Sequence, residues 1–171
     1  MRSPLLLPVT AFGLALVCFC AYAEKNLRIV ELTELRMQDS YDLPAARAWK
    51  LPEQVSFAVE ELPVTKGDSL EVGGWLSNAS LESQLVVIFP VGTLGFYVKP
   101  INGVSKSLGP LLPMPAPPPP LLLTLPAHSR VNLATTLKLS DWEWDAREPR
   151  KVEWSFLFWN EPKPSGRITI P

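Results

Sequence analysis

Only two of the 171 residues are cysteine and only one is histidine. Both cysteines, Cys18 and Cys20, fall in an amino-terminal stretch expected to be removed, so the mature chain is expected to lack thiol catalysis, disulfides and cysteine-based metal binding. A lone histidine, His128, leaves Ser-His nucleophilic catalysis a single possible base and metal chemistry a single imidazole. Blocks of one charge are missing as well. Without Arg2 in the leader, 15 basic residues stand against 17 acidic ones, dispersed along the chain, which is no footprint for nucleic acid. There is also no long helical period and no internal repeat, which argues against a helical or repeat architecture.

What is present begins with a leader. Met1 and Arg2 give a positive start, and Leu5 to Ala21 give an apolar run broken by Pro8, Thr10 and Gly13. Ala21-Tyr22-Ala23 then places small residues at the minus-three and minus-one positions before Glu24. The expectation is a signal peptide over 1–23, cleaved rather than kept as an anchor because the run is short for a span. Neither Ala15-Leu16-Val17 before Cys18 nor Val17-Cys18-Phe19 before Cys20 has the order of a lipidation site. Residues 24–171 are then one domain with no membrane span, long enough to bury a core without disulfides. An exported domain free of cysteine points to the bacterial periplasm or to secretion. Asn78-Ala79-Ser80 matches the N-glycosylation pattern and is read as a chance match in a turn.

The fold is organised around Val152 to Trp159. Val152, Trp154, Phe156 and Phe158 share one face by the two-residue period, and Glu153, Ser155, Leu157 and Trp159 share the other. A central strand covered on both faces is predicted. Alternation is cleanest from Arg130 to Leu139, where Val131, Leu133, Thr135, Leu137 and Leu139 oppose Asn132, Ala134, Thr136 and Lys138. It is clear again at Val55, Phe57 and Val59 against Ser56, Ala58 and Glu60. Gln84 to Pro90, with the apolar run Leu85 to Phe89, Gly92 to Pro100, with Phe96, Tyr97 and Val98, Leu121 to Leu125 and Arg167 to Ile170 read as further strands. After the turn Lys66-Gly67-Asp68, a strand with Leu70, Val72 and Trp75 contains Gly73-Gly74, which suggests a bulge or a close backbone approach. Leu27 to Gln38 mixes a strand with a helical turn, and Ala45 to Trp49 fits one short helical turn. Gly109 to Pro120 holds seven prolines and is expected to be a stiff surface connection rather than a ligand for an aromatic groove. Regularly spaced turn signals among so many strands predict an all-β, two-sheet antiparallel β-sandwich.

Tryptophan is the most suggestive residue type, with six in the chain. Strand-borne Trp75 and Trp154 are expected to fill the gap between sheets, and Trp49 to anchor an edge of the core. Trp142, Trp144 and Trp159 remain as contact residues. With the acids Asp141 and Glu143 beside the first two on a loop, they have the chemistry to stack on sugar faces and hydrogen-bond hydroxyls. Asp141-x-Glu143-x-Asp145 has the spacing that opens a calcium loop, but Ala146 stands where that loop needs glycine and Val152 where it needs its closing glutamate. The same run reads better as a capping box of Ser140 and Glu143. No metal or cofactor is expected. His128 reads as an exposed turn residue, no Gly-x-Ser-x-Gly elbow surrounds any serine, and no catalytic residue is assigned.

Leu137-x-Leu139, a loop, and then Val152-x-Trp154-x-Phe156 resembles the cadence of the late strands of immunoglobulin-like sandwiches, over about a quarter of the chain. The resemblance implies the fold class alone, because the intersheet disulfide is absent and Arg150 or Lys151 stands where a corner tyrosine belongs. The functional expectation is an exported, non-enzymatic sandwich that works by contact with a partner protein through loops or a strand edge. The alternative is a carbohydrate-binding module using Trp142 and Trp144 on a polysaccharide.

Overall fold

Period-two patterning becomes paired backbone throughout this all-β chain, for which a computed structural model describes residues 26–39, 44–60, 63–106, 118–161 and 163–170. The expected leader over 1–23 and the proline-rich stretch up to residue 117 lie outside the described residues. The strands are β1 (Arg28–Val30), β2 (Arg36–Asp39), β3 (Val55–Val59), β4 (Val64–Lys66), β5 (Ser69–Asn78), β6 (Gln84–Ile88) and β7 (Phe96–Pro100). After them come β8 (Gly103–Ser105), β9 (Leu121–Leu125), β10 (Ser129–Lys138), β11 (Trp142–Trp144), β12 (Lys151–Phe156) and β13 (Ser165–Thr169). Among the described residues, helical backbone is confined to the turn α1 (Pro44–Arg47) and to 3-10 turns at Leu32–Glu34 and Leu139–Asp141. No helix among the described residues is long and apolar enough to cross a membrane.

A five-stranded sheet runs β1-β10-β5-β3, with β4 also on β5, and two three-stranded sheets run β2-β9-β6 and β13-β12-β7. Backbone stitches the last two together. Ile88 bridges Phe158, the Phe89 N–H donates to the Leu157 carbonyl (2.9 Å), and the Trp159 N–H donates to that of Val87 (2.9 Å). A two-stranded ribbon of β8 and β11 lies apart from these pairings.

Inward side chains of both sets of strands form one cluster, including Leu70, Val72, Leu76, Val131 and Leu133 from the five-stranded sheet and Val86, Ile88, Leu123, Phe96, Val152 and Phe156 from the others. Phe57 of β3 crosses between them, stacked on Phe156 at 4.4 Å and tilted against Phe96 at 4.9 Å. Each such ring or branched side chain, fully buried, contributes about 1.5–3 kcal/mol relative to exposure. Trp49 anchors the edge of this core as expected: it is buried, its indole N–H donates to the Leu85 carbonyl at 2.8 Å, and its ring lies 5.9 Å from that of Phe158.

Strand β12 is central in its sheet, between β13 and β7. Its cover differs from the expected two-faced burial. Val152 and Phe156 are buried, but on the opposite face Glu153 pairs with Lys99 at 3.0 Å near solvent, and cover on that side begins only at Ser155 and Leu157. The reason is the cross-strand neighbours, Lys99 and Arg167, which make the first half of that face polar.

The structure decides four local expectations. Of the two readings of Gly73-Gly74, the bulge does not form, because β5 and β10 stay in register through ten consecutive pairs from Ser69↔Lys138 to Asn78↔Ser129, and the close approach does, a Cβ at Gly74 falling 3.3 Å from the Ala58 carbonyl oxygen. Uninterrupted alternation turns Leu70, Val72, Gly74 and Leu76 inward and carries Trp75 to the other face, half-buried instead of filling the core. Trp142 and Trp144 stand on a strand and not a loop, since β11 pairs with β8 through Trp142↔Ser105, Glu143↔Val104 and Trp144↔Gly103. The capping box of Ser140 and Glu143 does not form: the Ser140 hydroxyl donates to the Asp68 carboxylate, while a capping box does close the 3-10 turn at Leu32–Glu34, between Glu31 and Glu34.

Candidate functional site

The structure divides the five sequence-derived candidates among three places. Glu143 and Trp144 line a cavity of about 480 Å³ beside the ribbon, together with Ile101, Val104, Asp145 and Glu148. Strand alternation puts Trp142 and Trp144 on one face of β11, where both pack against the core. The Trp144 N–H is held by the Leu139 carbonyl at 3.0 Å, and the Arg150 guanidinium lies 5.8 Å from its ring centre. Trp142 and Asp141 are not among the residues lining this cavity. Asp141 is exposed near Lys138, 3.8 Å away, and its carbonyl accepts the Lys106 N–H at 2.9 Å.

Asp145 is already engaged. It accepts from Arg147 Nε at 3.0 Å, Nη2 at 2.8 Å and the backbone N–H at 3.0 Å. The guanidinium and this amide together hold its carboxyl below the usual carboxylate range. Among the described residues no three His, Cys, Asp or Glu side chains gather in a way that holds a metal ion.

Trp159 belongs to a second cavity, of about 250 Å³, with Phe89, Leu157, Phe158 and Lys163. Its ring stacks on Phe89 at 5.8 Å with an interplanar angle of 13°, and it is 37% exposed. Position and stacking both follow from the backbone bridge between β6 and the end of β12, which brings residues 87–89 beside 157–159.

His128 is exposed at the turn before β10, with a positive φ of 46°. Its backbone is fixed on both sides, the N–H donating to Ser80 O at 2.8 Å and the carbonyl accepting from Arg28 N at 3.0 Å. The neighbouring Ser129 hydroxyl is buried and donates to the Pro126 carbonyl at 2.7 Å. Asn78 of the glycosylation match is fully buried. Its amide nitrogen donates to the carbonyls of Glu82 (2.9 Å), Leu125 (3.3 Å) and Pro126 (2.8 Å), so a glycan on that nitrogen is incompatible with the native turn.

A fourth group, on the outer face of the five-stranded sheet, escaped sequence reasoning. There the Trp75 N–H donates to Glu60 Oε1 at 3.1 Å, and the Asn132 amide donates to the same oxygen at 3.2 Å. The Arg130 guanidinium lies over the Trp75 ring, 4.3 Å from its centre. Gly73 makes the room: a Cβ there would sit 2.6 Å from Glu60 Oε2. Small side chains surround the group in register, Ser77 beside Arg130 and Ala58 beside Trp75, while exposed Ile29 flanks Arg130 from β1. The signal for Trp75 was its odd spacing from Leu70 and Val72, which places it outward once no residue is inserted at the glycines.

Comparison with known proteins found no family and no curated protein that matches the chain.

Proposed function

We propose that the chain is an exported, non-enzymatic, immunoglobulin-like β-sandwich that acts by contact with another protein, in the cell envelope or outside the cell. The sandwich reading is supported by two crossings. The chain passes from the β10 side of the fold at β1 to β9 at β2, and from β9 back to β10 through residues 126–128. Phe57 reaching Phe96 and Phe156 supports it further.

The observation that carries the functional reading is the Trp75–Arg130 pair on the outer sheet face. Tryptophan and arginine dominate the energetics of protein contacts. Here Glu60 holds the indole in place before any partner arrives, which lowers the ordering cost of binding. Carbohydrate binding is the second reading, and Trp159 is what favours it, an exposed ring beside a cavity with Lys163 at its edge. Trp142 and Trp144 lend it less support, since they pack on the core.

Affinity capture with the tagged full-length chain from envelope and culture extracts, run alongside a glycan array, tests this. A stoichiometric protein partner and a blank array are expected. Saturable glycan binding lost on Trp159→Ala, with no protein captured, overturns the reading in favour of the second.

A further inference from the structure

We infer that the outer face of the five-stranded sheet is a docking surface for an acidic segment of the partner protein, received by Arg130. This rests on the contact reading above and adds the chemistry of the partner. Arg130 forms no salt bridge among the described residues, and its Nε is buried with no hydrogen-bond acceptor. The nearby Glu60 carboxylate keeps its charge but accepts from Trp75 and Asn132 and makes no ion pair with Arg130. A guanidinium resting on an indole keeps its N–H donors around its rim, in the fork geometry that matches a carboxylate. Its neighbours in register are Ser77, a small buried residue, and Ile29, an exposed aliphatic side chain for the partner's apolar atoms. The cation, its aromatic support and an adjoining apolar residue therefore lie on one face, complementary to a segment in which acidic and aliphatic residues alternate.

The test titrates poly-L-glutamate into the ¹⁵N-labelled full-length chain, following the Arg130 Nε–H and Trp75 Nε1–H resonances. Saturable shifts of both are expected, weakening on raising the salt. Arg130→Gln should lower the affinity about tenfold, and Arg130→Lys, which keeps the charge without the fork, should fall between. If Arg130→Gln loses the dispersed amide spectrum of a folded chain, Arg130→Lys decides alone. Unmoved resonances, equal affinity in the substituted chains, or polygalacturonate binding as tightly as polyglutamate each overturn the inference, the last by assigning the surface to an acidic polysaccharide. A partner captured equally by the native chain and by Arg130→Gln overturns it while leaving the contact reading intact. No captured partner at all removes the reading itself.

Discussion

The indole nitrogen of Trp75 and the carboxylate of Glu60 meet at 3.1 Å on the solvent side of β5, and the meeting depends on an absent side chain. Glu60 Oε2 occupies the space that a Cβ at position 73 would take. One residue further on, the ring of Phe57 occupies the space of a Cβ at position 74, on the opposite, buried face. The adjacent glycines therefore serve two different contacts.

Substitution separates them. In Gly73→Ala the obstacle is the free end of a flexible side chain, so Glu60 swings away, the Trp75 resonance shifts and stability changes by less than about 1 kcal/mol. In Gly74→Ala the Cβ would lie 2.5 Å from Phe57 Cζ, inside a ring cluster with Phe96 and Phe156, and about 1–3 kcal/mol is lost. Urea unfolding of both variants checks this; equal losses would contradict the assignment of the two faces.

Gly166 also lies under a ring. A Cβ there would come within 2.6 Å of Trp154 Nε1 and 2.7 Å of Cε2, because Trp154 lies across β13 at the paired position. Gly166→Ala is expected to destabilise by about 1–3 kcal/mol, and Gly166→Ala with Trp154→Leu by less than the sum of the two single changes. A double-mutant cycle by thermal unfolding measures this; strict additivity would show that the ring does not lie over the glycine.

Asn78 ties three segments together through one amide. Asn78→Ala leaves buried carbonyls without their donor and should cost on the order of 2–3 kcal/mol. Amide exchange should rise first around residues 80–84 and 126–129, the segments it bridges. An unchanged unfolding midpoint would refute the role.

Asp145 titrates below the usual carboxylate range because Arg147 binds its ionised form. A carboxyl whose folded pKa lies below its unfolded value adds stability above the unfolded pKa, and that contribution is lost as pH falls through the folded one. Carboxyl ¹³C titration should place Asp145 below the ordinary aspartate value, and Arg147→Gln should return it to that value. Identical titration curves in the two chains would be inconsistent with the pair.

Much of this was legible in the residues. Burial on β10 follows the alternation from Val131 to Leu137 position by position, because a strand with one wet face sorts its side chains locally, whatever its partners. The same holds at Val55, and the turn at Gly67, with φ of 59°, needed only the residue itself. Trp142 and Trp144 were not legible as a strand, since three residues give too short a period and their partner β8 lies some forty positions upstream.

The chain by itself determined its class: apolar side chains at every second position commit the backbone to strands, and the scarcity of histidine and cysteine narrows the chemistry it can carry. Only the tertiary structure decided which way Trp75 faces, that residues 157–159 join β6, and that Glu60 and Arg130 meet at one ring with Asn132 on the same carboxylate. Those outcomes depend on register between distant strands, where one inserted residue exchanges the inner face for the outer. That choice is made by the partner strand and is written nowhere in the segment that obeys it.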